Sequence, residues 1–137
     1  MSMMVTGLYA GLTGLLTVAL AYRVVKLRRS HKIGLGDSGN SALSLACRVH
    51  ANLMENAPIV LILMLVAESA GLPVFYLHCF GTVWIVARLL HAIGLTHGQG
   101  GYHFGRFWGV LLTWLVIISL ALVDMVYFIQ GLAKGGW

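Results

Sequence analysis

Four long apolar runs, separated by short polar or glycine-rich breaks, organise the chain. The first covers about residues 3–25, and its core VTGLYAGLTGLLTVALAY carries no charge. The second spans about 41–70, the third about 74–95 and the fourth about 106–130. Each approaches or exceeds the roughly 20 residues that carry a helix across a bilayer. The breaks read KLRRSHKIGLGDSGN, GLP and THGQGGYHFG. This pattern predicts an all-α membrane protein. The expected architecture is one four-transmembrane-helix up-down bundle occupying residues 1–137.

Composition agrees with the pattern. Of 137 residues, 59% are apolar and only 9% are charged, against about 25% charged in a soluble domain. That is more apolar material than one small core can bury, so the surplus faces lipid. Nine Lys and Arg oppose four Asp and Glu, for a net charge of +5. No basic residue precedes the first segment, so it lacks the charged start of a secretory signal peptide. Lys26, Arg28, Arg29 and Lys32 follow that segment at once. They predict a cytoplasmic first loop, an N-terminus outside, and a cytoplasmic third loop as well. Glu68 and Asp124 then fall near the outer surface, within reach of water, and Tyr127, Phe128 and Trp137 suit the outer interface. Cys47 and Cys79 both lie within predicted helices, so no disulfide is expected.

The chemistry gathers in RVHANLMENAP, residues 48–58, inside the second span. At about 100° per residue, Arg48, Asn52, Glu55 and Ile59 fall within a sector of roughly 60°. Asn56 stands at its edge, and His50 points almost the opposite way. Pro58 cannot donate to the Met54 carbonyl, which favours a kink beside the stripe. Arg88 and His91, three apart, share a face of the third helix, and Arg106 opens the fourth. All of these lie in the half of the membrane next to the two longer loops.

An arginine or aspartate at a helix centre costs about 2.5–3.5 kcal/mol when it faces lipid. These side chains therefore face the bundle interior or a subunit interface. Arg48 and Glu55 could form a purely structural ion pair, with Asn52 and Asn56 as interhelical hydrogen-bond links. Charge counting points further. Arg48, Arg88 and Arg106 share one level with only Glu55 to balance them, and a buried excess of that sign invites an anionic ligand. An anionic ligand carrying one ammonium group would complete the balance.

The stretch Arg48, Asn52, Glu55 and Pro58 resembles the second-helix signature of the MAPEG family, the membrane-associated proteins of eicosanoid and glutathione metabolism. Asn56 suits its bacterial branch. ARLLH, residues 87–91, is similar to the family's third-helix Arg-x-x-His stretch, and Arg106 matches in position the arginine beside the glutathione thiol. The resemblance covers nearly the whole chain. It implies a homotrimer in a bacterial inner membrane that binds glutathione as cosubstrate between adjacent subunits. Arg48, Asn52, Glu55, Asn56, Arg88 and His91 become the expected glutathione-binding residues, and Arg106 the expected catalytic residue. The implied reaction is glutathione transfer or peroxide reduction, with a lipophilic small molecule arriving from the membrane lipid. One departure is Leu95, where several relatives carry a tyrosine.

Other features carry less. GLGDSG, residues 34–39, fits a dinucleotide-binding glycine pattern, but no strand precedes it, and a flexible loop is expected. His91, His97 and His103 recur every six residues without a cysteine or acid to complete a metal set, so no metal is expected. No nucleic-acid partner is expected either. Gly7, Gly11 and Gly14 suit close helix packing. A four-helix multidrug exporter is the competing reading, although such exporters keep their glutamate in the first helix, which here is empty. A non-catalytic membrane assembly protein is the third.

Overall fold

A computed structural model describes residues 4–134 of the chain. Four helices follow one another: α1 (Met4–His31), α2 (Ser41–Ser69), α3 (Val74–His97) and α4 (Phe104–Ala133). All four are long and apolar enough to cross a membrane. Trp137, expected as an interface anchor, lies outside the described residues.

The helices outrun the hydropathy pattern where polar residues are themselves good helix formers. α1 continues through Lys26, Arg28 and Arg29 to His31, because basic residues propagate a helix well and favour the negative end of its dipole. It stops where Lys32 takes a φ of 54° and the Ile33 N–H bonds back to the Arg28 carbonyl at 3.0 Å. α2 starts at a cap: the Asn40 side chain accepts the Leu43 N–H at 2.9 Å. Pro58 stands inside α2 without ending it. α4 starts at His103, whose Nδ1 accepts the Gly105 N–H at 3.1 Å.

Contacts between helices establish the up-down order. Tyr9 near the start of α1 reaches Thr82 in the first half of α3, at 2.9 Å between hydroxyls, while Arg23 near the end of α1 reaches Thr96 near the end of α3, at 2.8 Å. α1 and α3 therefore run the same way, and both longer loops lie at one end of the bundle. α2, α3 and α4 pack on one another, and α1 packs on α2 and α3. Val60, Met64, Leu77, Trp84 and Leu120 form the centre of the core.

Glycine sets the closest approach, at positions the sequence pattern did not single out. A Cβ on Gly94 would overlap the backbone of Gly105 and Arg106, and one on Gly109 would meet the Ala87 carbonyl at 2.7 Å. α3 and α4 can come this near only because those side chains are absent. Gly7, Gly11 and Gly14 do not behave as expected within the protomer. They are exposed, with open space where a Cβ would stand, so the small-residue stripe of α1 packs on nothing among the described residues.

Candidate functional site

Arg88 is the most deeply placed charge. It is 3% exposed, in the middle of the α2–α3–α4 contact. Its Nη1 donates to Asn52 Oδ1 of α2 at 2.7 Å, and its Nη2 donates to the Gly109 carbonyl of α4 at 2.9 Å and to the Thr113 hydroxyl. The guanidinium carbon lies 5.1 Å from the Trp84 ring centroid, a cation–π arrangement. Nε has no partner. Every one of these acceptors is neutral, so the cation is solvated by the protein without being neutralised. His91, one turn further along α3, is also buried and packs against Gly109.

Arg48 and Glu55 stand elsewhere. Both are exposed, on the outward face of α2. With Ile59, Ile62 and Val66, likewise exposed, they share one helical face by their spacing of three, four and seven residues. The sequence required these charges to avoid lipid, and within one protomer they are not covered. Asn56 is half-buried, and its Nδ2 donates to the Asn52 carbonyl one turn back at 2.8 Å. The stripe read from the sequence is thus divided: half-buried Asn52 turns inward to Arg88, while Arg48 and Glu55 point outward.

Arg106 lies three residues after the α4 cap and is half-buried. Its Nη1 donates to the carbonyls of Gly100, and of Gly101 at 3.0 Å, in the preceding loop. Beside it opens an apolar cavity of about 500 Å³, whose lining includes Tyr102, His103, Phe107, Val110 and Trp114. This volume lies within the range of small-molecule pockets. A guanidinium at the mouth of an apolar recess can hold an anionic atom close to a greasy reactant.

Several working residues escaped the sequence reading. Thr113 and Gly109 hold Arg88, and their spacing of four on one α4 face was the available signal. Arg23 was missed because the first helix reads as empty of charge up to Tyr22. Its partner Thr96 sits on another helix, and nothing local links the two.

The comparisons with known proteins bear on this arrangement. The sequence model of the MAPEG family matches residues 6–124, from α1 to the last third of α4. The chain belongs to the MAPEG family. The chain is also similar to "Inner membrane protein YecN" of Escherichia coli strain K12, and to the protein of the same name in strain O6:H1. Each is 35% identical over 124 residues, covering 90% of this chain and 92% of the relative. It is therefore an integral membrane protein of the glutathione and eicosanoid metabolism family, as its second-helix motif implied.

Proposed function

We propose that this MAPEG chain binds glutathione in a bacterial inner membrane and activates its thiol for attack on lipophilic electrophiles or peroxides. The observation that carries the reading is the outward-facing pair Arg48 and Glu55 on a membrane-crossing helix. Charges on such a face need a cover that pairs them, and a neighbouring copy in a homotrimer with glutathione between copies supplies it. The loops carrying the basic residues then lie in the cytoplasm, where positive loop charge is retained.

In this reading Arg48 pairs a glutathione carboxylate in forked geometry and Glu55 takes the ammonium group. Arg88 acts by holding Asn52 Oδ1, which fixes the amide and leaves its NH₂ as a donor to a peptide carbonyl. Asn56 and His91 complete the polar wall. Arg106, in the first turn of α4, lowers the thiol pKa from about 8.5 by its charge and by the helix N-terminus. The thiol proton leaves to solvent, sulfur forms the new bond to the electrophile, and the leaving group departs with its electron pair. The apolar cavity beside Arg106 receives that second reactant from the bilayer.

Thermal shift of the purified protein in detergent tests the binding half. Glutathione at about one hundred times its Kd stabilises a binder by about 2.7 kcal/mol. Stabilisation by a lipophilic cation instead would select the exporter reading, and no response to either would leave an assembly role.

A further inference from the structure

A second recess opens at the end of the bundle that carries both longer loops, and it shares no lining residue with the cavity beside α4. It has a volume of about 300 Å³ and is lined by Arg23, Ser41, Ala42, Leu45, Thr96 and Gln99, drawn from α1, α2 and the end of α3. Arg23 is half-buried, and its Nη1 donates to the Thr96 hydroxyl at 2.8 Å. One guanidinium, two hydroxyls and a carboxamide therefore line one small space, and no acid lines it.

The surroundings reinforce the sign. Lys26, Arg28, Arg29 and Lys32 follow Arg23 within nine residues. Asp37 is the sole acid between positions 23 and 45. It turns onto its own loop, accepting the Gly39 N–H at 3.0 Å. That bond, with one from Ser44, holds its carboxyl below the ordinary range. Asp37 thus stays charged but spends its charge locally.

The helix faces that carry Arg23 and Thr96 also carry exposed apolar side chains. Leu12 and Ala19 share the α1 face of Arg23, at spacings of seven and four, and Leu89 and Ile93 share the α3 face of Thr96. All four are exposed. α1 and α3 touch along this line at Arg23–Thr96 and again at Tyr9–Thr82, so an apolar seam descends from the polar recess into the membrane. Arg23 lies eight residues before the end of α1 at His31, or about 12 Å along the axis. Arg23 is the first charge after the uncharged apolar run of α1, the place along the helix that suits the headgroup region.

We propose that this recess seats the phosphate of an anionic phospholipid, with an acyl chain lying along the α1–α3 seam. Donors without acids select an anion, and the arginine fork suits a phosphate. Basic pockets between membrane helices on the positively charged side bind anionic headgroups. A free phosphate would leave the apolar seam unused, and a zwitterionic lipid would bring an ammonium group toward Arg23 and Lys26.

Native mass spectrometry of the purified full chain, loaded with phosphatidylglycerol or phosphatidylcholine, tests this. Retention of phosphatidylglycerol at least tenfold over phosphatidylcholine is expected, lost in Arg23→Gln and kept in Arg29→Gln, which removes an exposed cation from the same end. Arg23→Lys, keeping charge without the fork, should fall between them. Equal retention of the two lipids would overturn the proposal, as would equal losses in the Arg23 and Arg29 variants. If Arg23→Gln does not fold, the wild-type lipid comparison decides alone. Inorganic phosphate competing as well as the lipid would also overturn it, by making the site one for a soluble anion. Displacement by glutathione would do the same, assigning the recess to the thiol site. Absence of glutathione binding, with lipid selectivity intact, would refute only the proposed function.

Discussion

Arg88 Nη1 stands 2.7 Å from Asn52 Oδ1, and that bond joins the third helix to the motif of the second. It ties a buried cation to a neutral amide, so the protein solvates the charge without cancelling it. Breaking a bond to a buried charge costs more than losing a surface ion pair, because the charge stays behind unpaired.

Asn52→Ala should therefore destabilise the fold by about 2–3 kcal/mol. Asn52→Asp should keep most of the stability, since a carboxylate can accept the same N–H. Thermal unfolding in detergent measures both. Equal loss in the two variants would show that the amide packs rather than solvates.

Glu68, at the end of α2, accepts the N–H groups of Val5 at 3.0 Å and Thr6 at 2.8 Å. The carboxylate of one helix thus caps the start of another more than sixty residues away. It is half-buried there and still within reach of water, as expected for an acid near the end of the span. Glu68→Ala should cost about 1–2 kcal/mol, and hydrogen exchange should rise selectively at the first turn of α1. Unchanged exchange at that turn would contradict the cap.

Close approach of α3 and α4 makes Gly94 intolerant. Gly94→Ala should destabilise by at least about 1–3 kcal/mol, because backbone cannot move aside as a flexible side chain can. Gly11→Ala, facing open space in the protomer, should stay within about 0.5 kcal/mol. A large loss at Gly11 would reveal that another copy packs on the α1 glycine stripe.

Arg106→Ala should abolish thiol transfer while leaving the fold and glutathione binding in place. The sign with pH follows from the thiol. An arginine lowers its pKa, so the thiolate persists above the lowered value and disappears as pH falls through it. Without Arg106 the midpoint should rise toward about 8.5, as read from the ultraviolet absorbance of the bound thiolate. A midpoint identical in wild type and variant would remove Arg106 from the mechanism.

The four spans and their order were legible because lipid demands long apolar runs, and no soluble core explains so many. Helix ends were not, since α1 runs on through a basic stretch that hydropathy treats as loop. The pairing of Arg88 with His91 on one buried face followed from spacing. Its partners Gly109 and Thr113 did not, because they belong to a helix whose register against α3 is set by Gly94 and Gly109. Helical spacing put Arg48 and Asn52 on one stripe, yet a stripe about 60° wide straddles a boundary between core and surface. Only packing decides which side each residue takes.

The central claim, that the cation-rich layer exists to bind glutathione, is tested most directly by calorimetric titration of glutathione into wild type, Arg48→Gln and Glu55→Gln. Saturable binding in wild type, weakened at least tenfold in each variant, is the predicted result. No saturable heat in wild type, or affinities unchanged by both substitutions, would contradict it.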